Sequence, residues 1–308
     1  MNTADPHDSD FDEFAHIADL ARRLGSSESI PSVRRHDFLS EEGAILSSLI
    51  WGDGPAEVVY LHGAGLHAHS WDSTALALGR SALAFDLPGH GDSDWRDGKD
   101  YSPESIALPL VAVLSRILES PVVLVGQSLG GLAAISMAHQ LGSLVRGVVL
   151  VDVTPGHRIE GTASSQINEF MAGPESFASR DEIIDRALEY GIGKSRQDLE
   201  RGVRLNTRVR SDGRVIFKHH FAILPAEIHA SHDATILWPI LQEVLVPVVL
   251  VRGIDGILND DHVREFSEFL PAATTLTLVA GHNVQRDAPQ ELADAIASLL
   301  SSSSASHG

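Results

Sequence analysis

The chain has 308 residues and a mass of 33.1 kDa, and its 23 Lys and Arg residues against 42 Asp and Glu residues give a formal net charge of −19. With 43% hydrophobic and 21% charged residues, it has enough apolar material for a folded core, which excludes an intrinsically disordered chain. The acidic balance disfavours nucleic acid and anionic membranes as partners, and the absence of cysteine excludes disulfides, thiol nucleophiles and cysteine-based zinc sites.

The first 30 residues are predicted to form an acidic segment followed by an amphipathic helix. Residues 1–10 are polar, and apolar residues recur at helical spacing from Phe11 to Leu24. The segment lacks the basic and apolar regions of a secretory signal, and no run of about 18 apolar residues occurs in the chain. We therefore expect a cytoplasmic protein without a membrane-spanning helix.

Short apolar runs then set the expected fold. Two β-like runs around a Gly-Asp-Gly-Pro turn at residues 52–55 predict antiparallel edge strands. Runs of four to six apolar residues without alternation are typical of strands that are buried on both faces, as in parallel sheets covered by helices. Such runs occur at residues 58–61, 82–85, 122–125, 148–151, 247–251 and 275–279. The pattern predicts an α/β protein with a mixed, mainly parallel sheet.

The regular spacing of strands is interrupted once, between Val151 and Pro247. Helical apolar spacing at residues 181–190 and 195–207 indicates that this stretch is mostly helical. We predict an inserted cap over residues 155–237, between core segments at residues 31–154 and 238–300. The Ser-rich tail at residues 301–308 is expected to be disordered.

Residues 122–140 carry the strongest chemical signal, because a buried strand runs into Gly-Gln-Ser-Leu-Gly-Gly and then into a helix. A turn this tight needs small neighbours, and it lifts the serine hydroxyl above the sheet at the positive end of the helix. A chance Gly-x-Ser-x-Gly in a loop is the alternative, but the flanking strand, the helix and the extra glycine disfavour it. Ser128 is therefore predicted to be a nucleophile on an elbow turn.

A serine hydroxyl needs a general base, and an acid that orients the base. His282 is the candidate base among 16 histidines because it directly follows the last predicted strand. Asp152 ends the strand after the nucleophile strand, and Asp255 lies just past the next one. The acid-bearing turn after the later strand usually reads Gly, two residues, Asp, but here only one residue separates Gly253 from Asp255. Asp152 is therefore preferred, and both aspartates remain candidates.

A serine that accepts an acyl group also needs two backbone N–H donors for the developing oxyanion. Leu129, the residue after the nucleophile, is expected to supply one. Ala64, in the small-residue loop after the strand at residues 58–61, is expected to supply the other. His62 at the start of this loop is expected to brace it by hydrogen bonding.

Metal and cofactor sites are not expected from this sequence. His62, His67 and His69 lack a carboxylate set at a metal-binding spacing. The Gly-rich turn at residues 86–91 lacks the Lys and Ser/Thr of a phosphate-binding loop. Three aromatic side chains either line a pocket beneath the cap or belong to the core, namely Trp71, Phe177 and Trp238.

Four segments together resemble the α/β-hydrolase superfamily, in particular its bacterial esterase, lactonase and cofactor-free haloperoxidase-like branch. They are LHGAG at 61–65, DLPGHGDSD at 86–94, GQSLGG at 126–131 and AGHNVQRDAP at 280–289. The resemblance implies an eight-stranded sheet with helices on both faces. It also implies a Ser-acid-His triad in chain order, which transfers to Ser128, to Asp152 or Asp255, and to His282. Gln127 stands where His or Met is common in the family, so it is expected to tune the substrate pocket.

The resemblance and the residues together predict an enzyme that cleaves a carboxylic ester or lactone of a small molecule through an acyl-enzyme. Serine at the elbow disfavours dehalogenase and epoxide hydrolase chemistry, since those relatives carry aspartate there. Carbon–carbon bond hydrolysis and cofactor-free oxygen chemistry are alternatives on the same fold, as is a small-molecule receptor. The sequence indicates no oligomeric state.

Overall fold

The computed structural model describes residues 11–25, 30–157, 170, 173–193, 195–224 and 233–301. Its centre is an eight-stranded sheet, and two further strands form a separate hairpin. The strands of the described residues are β1 (Val33–Leu39), β2 (Ile45–Trp51), β3 (Val58–Leu61), β4 (Ala82–Phe85), β5 (Val122–Gln127), β6 (Val145–Val151), β7 (Thr207–Val209), β8 (Val215–Phe217), β9 (Val248–Asp255) and β10 (Thr274–Gly281).

The strand order in the large sheet is β1-β2-β4-β3-β5-β6-β9-β10. β1 pairs antiparallel with β2, and β2 pairs antiparallel with β4. All the other neighbours in this sheet are parallel, from β4 through to β10. The prediction of a mixed, mainly parallel eight-stranded sheet is therefore confirmed, and β5 lies near its middle.

Helices cover both faces of this sheet. The helices of the described residues are α1 (Ile17–Arg23), α2 (Asp72–Leu78), α3 (Pro103–Ile117), α4 (Leu129–Leu141), α5 (Arg180–Glu189), α6 (Arg196–Leu205), α7 (Leu237–Gln242), α8 (Asp260–Phe269), α9 (Val284–Asp287) and α10 (Pro289–Ser301), of which α5 and α6 lie away from the sheet. Val122 and Leu124 of β5 pack into the hydrophobic cluster on one face, while Val123 and Val125 pack into the cluster on the other. Burial on both faces explains why these strands appear in the sequence as unbroken apolar runs.

The N-terminal helix is shorter than its apolar spacing predicted. It comprises Ile17–Arg23, and turns precede it from Glu13 to His16. The Asp12 carboxylate accepts a hydrogen bond from the backbone N–H of Phe14 at 2.9 Å, a local bond that competes with helix formation. The predicted loose segment at residues 1–10 and residues 302–308 of the predicted disordered tail lie outside the described residues.

The described part of the segment between β6 and β9, called the insertion below, contains α5, α6 and the β7–β8 hairpin. It has a hydrophobic cluster of its own, which includes Phe177, Ile183, Val203 and Phe217. The insertion is tied to the sheet domain by polar contacts, such as the bond from the His220 backbone N–H to the carbonyl of Gly89 at 2.8 Å. Across the described ranges, no helix has the length and apolar character needed to span a membrane.

Candidate active site

Ser128 lies on the sharp turn between β5 and α4. Its backbone adopts φ 52° and ψ −120°, a conformation that is strained for a residue with a Cβ. A Cβ added to Gly126 would lie 2.3 Å from the carbonyl oxygen of Gly130, and one added to Gly130 would lie 2.3 Å from that of Leu61. Such distances are too short for any side chain, so this turn requires glycine at both positions.

The backbone around the elbow presents N–H groups at the start of α4. Leu129 is the first residue of this 13-residue helix, so its N–H has no acceptor in the helical ladder. The aligned peptide dipoles place partial positive charge at the same point. An anion that develops next to Ser128 would therefore meet a favourable electrostatic environment.

The loop after β3, with Ala64 at its centre, is braced from two sides. The Nδ1–H of His62 donates to the carbonyl of Gly63 at 2.8 Å, and His62 Nε2 accepts from the backbone N–H of Leu87 at 3.0 Å. Burial lowers the pKa of His62 and keeps its ring neutral, as this pair of bonds requires. From the insertion, the Asn206 amide donates to the carbonyl of Gly65 at 2.6 Å.

Asp152 and His282 are brought together at the carboxyl ends of β6 and β10. Asp152 Oδ2 lies 2.8 Å from His282 Nδ1, and the Asp152 carboxylate also accepts backbone N–H bonds from Gly253 at 3.2 Å and Ile257 at 2.8 Å. Asp152 is fully buried, whereas Asp255 is exposed at the end of β9. Of the two acid candidates, Asp152 is the one in contact with the imidazole.

The other ring nitrogen of His282 has a partner that the sequence did not reveal. Its Nε2 lies 2.9 Å from the side-chain Nε2 of Gln127, and the same amide nitrogen lies 3.3 Å from the His282 carbonyl oxygen. Within the described residues, this amide rather than the Ser128 hydroxyl is the hydrogen-bond partner of Nε2. The position of Gln127, directly before Ser128, is the only sequence signal for this contact.

The three aromatic pocket candidates are packed in hydrophobic cores. Trp71 is fully buried and stacks on Tyr60 with ring centroids 4.9 Å apart. Phe177 belongs to the cluster inside the insertion. Trp238 stacks on Phe269 at 4.3 Å. All three rings therefore lie in hydrophobic cores, the second of the two alternatives considered for them. That any of them lines the substrate pocket stays a prediction.

Several other histidines near the site are kept neutral by their surroundings. Burial lowers the pKa values of His67 and His90 well below the ordinary range. Burial is the largest cause that lowers the pKa of His157, to about 4. In the part of the chain that is described, no group of three or more His, Asp and Glu side chains is placed to hold a metal ion.

A sequence profile described as the alpha/beta hydrolase family matches residues 58–295, which is most of the chain. The chain belongs to the alpha/beta hydrolase family. The match includes the elbow, the loop after β3, Asp152 and His282, so family membership and the geometry concern the same residues. The chain is thus an enzyme of the hydrolase type.

Individual relatives give a more detailed comparison. The chain is 34% identical to "Esterase Rv0045c" of Mycobacterium tuberculosis over 94% of this chain and 96% of that protein. A solved structure of that esterase superposes with a TM-score of 0.79 and covers 95% of this chain and 99% of its own. The "sn-1-specific diacylglycerol lipase ABHD11" of Mus musculus is 28% identical, over 82% of this chain and 84% of that protein. The likeness to an esterase over nearly the whole length supports activity of this hydrolase on ester bonds.

Proposed function

We propose that this enzyme hydrolyses carboxylic esters or lactones of small molecules through an acyl-enzyme formed on Ser128. The proposal rests on the 2.8 Å hydrogen bond between Asp152 and His282, which directly follow separate strands and meet beside the elbow. A buried carboxylate on Nδ1 fixes the tautomer of a neutral imidazole, so that Nε2 carries the lone pair that acts as the base. The esterase and lipase relatives support ester substrates for this chain as well.

In the proposed reaction each of these groups has one role. Ser128 attacks the ester carbonyl while His282 Nε2 takes the hydroxyl proton, and the Asp152 carboxylate stabilises the resulting imidazolium. The backbone N–H groups of Leu129 and Ala64 stabilise the oxyanion of the tetrahedral intermediate. His282 then protonates the leaving alkoxide, and water repeats the sequence on the acyl-enzyme. With a lactone, the leaving alcohol stays attached to the acyl group, and each step is otherwise the same.

The first test compares the wild type with Ser128→Ala on p-nitrophenyl esters from acetate to octanoate. We expect kcat to fall by a factor on the order of 10⁴ or more in Ser128→Ala, because the nucleophile is lost. Labelling by a fluorophosphonate should disappear with it. The exposed serine variant Ser143→Ala is the matched control and should keep both.

The outcome separates the proposal from its alternatives. Turnover and labelling that survive in Ser128→Ala would refute an acyl-enzyme on this serine. Normal labelling of the wild type without turnover would mean that the serine is activated but that the esters tested are not its substrates. A wild type that neither turns over nor labels would contradict the proposal in favour of carbon–carbon bond hydrolysis, cofactor-free oxygen chemistry or a receptor.

A further inference from the structure

The side chain of Gln127 is the least expected feature of the site. It is 1% exposed and contacts two functional elements at once. Its amide nitrogen lies 2.9 Å from His282 Nε2, and its Oε1 occupies space that a Cβ on Gly63 would enter at 2.1 Å. Gln127 thus spans the distance between the general base and the loop that carries Ala64.

The orientation of this amide follows from its neighbours. A carbonyl oxygen can only accept, so the Gln127 atom that lies 3.3 Å from the His282 carbonyl must be the nitrogen. The Asp152 carboxylate also only accepts, so a neutral His282 carries its proton on Nδ1 and its lone pair on Nε2. The Gln127 amide therefore donates to the same lone pair that the reaction needs.

One lone pair cannot accept strongly from two donors at the same time. We propose that Gln127 is a positioning residue, which holds the general base in a hydrogen bond while the enzyme is at rest. This proposal rests on the proposed serine mechanism. His282 must exchange the Gln127 amide for the Ser128 hydroxyl before proton transfer. Gln127 Oε1 is buried with no hydrogen-bond partner in the described structure, so rearrangement of this side chain breaks no bond at that end.

The first experiment measures the second-order rate of Ser128 labelling by a small fluorophosphonate. In Gln127→Met and Gln127→Leu the side chain keeps a similar volume but cannot donate, so Nε2 is free for Ser128. We expect labelling to become about 2- to 12-fold faster, the factor that corresponds to a net hydrogen bond of about 0.5–1.5 kcal/mol. A purely structural role predicts slower labelling in both variants.

A second variant replaces the hydrogen-bond donor at position 127 by an acceptor, which favours the protonated form of His282 instead of the neutral form. In Gln127→Glu a carboxylate faces Nε2 and accepts from the imidazolium, so the base is held in its protonated form. The acid limb of the labelling rate against pH should move to higher pH in Gln127→Glu, and labelling at pH 7 should slow. Asp152, His157 and Asp287, which flank the His282 segment, are unchanged in all variants.

The resting hydrogen bond is also visible without catalysis. The ¹⁵N chemical shift of His282 Nε2 should change in Gln127→Met, because its donor is removed. It should stay the same in Ser128→Ala, because Ser128 is not its partner in the resting enzyme. This second measurement keeps the test valid if the Gln127 variants fold poorly, since Ser128→Ala retains Gln127.

Failure of this inference differs from failure of the proposed function. If the wild type labels, Ser128→Ala does not, and the Gln127→Met and Gln127→Leu variants label no faster, the resting bond is refuted while the serine mechanism stands. A shift of the Nε2 signal in Ser128→Ala would refute it independently. If the wild type does not label at all, both proposals fall together.

Discussion

Asp152 adopts a backbone conformation that residues with a Cβ rarely take, with φ at 49°. Ser128 is strained in the same way, and in the described part of the chain Lys99 is the one further non-glycine residue with positive φ. Such strain costs about 1–3 kcal/mol per residue and persists where surrounding bonds determine the conformation. For Asp152 these bonds come from His282, Gly253 and Ile257. Backbone strain at the elbow serine and at the aspartate that contacts His282 is consistent with a catalytic arrangement.

The contact with His282 predicts which aspartate matters for the reaction. Asp152→Asn should lower kcat by a factor on the order of 10⁴, because an amide no longer stabilises the imidazolium or selects its tautomer. Asp255→Asn, at an exposed position, is the matched control and should change kcat less than about twofold. Both variants are assayed on the best p-nitrophenyl ester. If Asp255→Asn lost its activity while Asp152→Asn kept it, the acid of the triad would be Asp255 and not Asp152.

The elements around the site are held by unusually close backbone approach. The start of α4 lies against the end of β3, so a Cβ on Gly130 would meet the carbonyl oxygens of Leu61 at 2.3 Å and His62 at 2.5 Å. These carbonyls belong to the segment that leads into the Ala64 loop. The elbow and the loop are therefore positioned relative to each other by direct packing of main chain on main chain.

This packing predicts opposite effects for two Gly→Ala substitutions in helices. Gly130→Ala should force α4 away from β3, which lowers the melting temperature and removes most of the esterase activity. Gly202→Ala, at an exposed position of α6 with no atom within 4 Å of the added Cβ, should be neutral or stabilise the fold by about 0.5–1 kcal/mol. Thermal unfolding and ester turnover are measured together. Full activity in Gly130→Ala would show that the close approach is not required.

Across the whole molecule, a network of buried and half-buried charges joins the N-terminal segment, the sheet domain and the insertion. Arg35 donates to Glu13 Oε2 at 2.7 Å and to Asp86 at 2.8 Å. His69 contacts Glu13 through Nε2 at 3.0 Å and Asp72 through Nδ1 at 2.9 Å. Burial alone would lower the pKa of His69, but these two carboxylates raise it, so the ring is held as an imidazolium. Arg201 of α6 also donates to Asp72, at 3.0 Å.

The network predicts how stability depends on pH. Burial by itself would raise the pKa of Glu13, but the bonds from His69 and Arg35 outweigh it and lower the pKa from 4.5 to about 2. The ionised Glu13 therefore stabilises the folded state above pH 4.5, and this contribution is lost as the pH falls towards 2. Glu13→Gln should be destabilised at pH 7, and its difference from the wild type should shrink at pH 3.

Urea unfolding at the two pH values measures this difference. The exposed variant Glu42→Gln is the control and should unfold like the wild type at both. A Glu13→Gln variant as stable as the wild type at pH 7 would mean that the charge network contributes nothing net to folding, as some buried ion pairs do.

Much of the fold followed from local patterns. β3 and β4 begin and end where their apolar runs do, because strands buried on both faces have no polar positions. The N-terminal helix was predicted too long. The spacing of apolar residues carries no information about the hydrogen bond from the Phe14 N–H to the Asp12 carboxylate, which favours a turn. The elbow glycines were recognisable because the steric need they serve lies within a few residues of the chain.

The sequence by itself determined the sheet, the elbow and the residues that follow each strand at its carboxyl end. It left Asp152 and Asp255 as alternatives, because both follow strands that end at the same edge. Only the tertiary structure decided that Asp152 meets the imidazole and that Gln127 occupies its other nitrogen. Each of these contacts joins residues at least 130 positions apart, at distances of 2.8 and 2.9 Å. Hydrogen bonds of this kind depend on the packing of whole strands and loops, which no local pattern encodes.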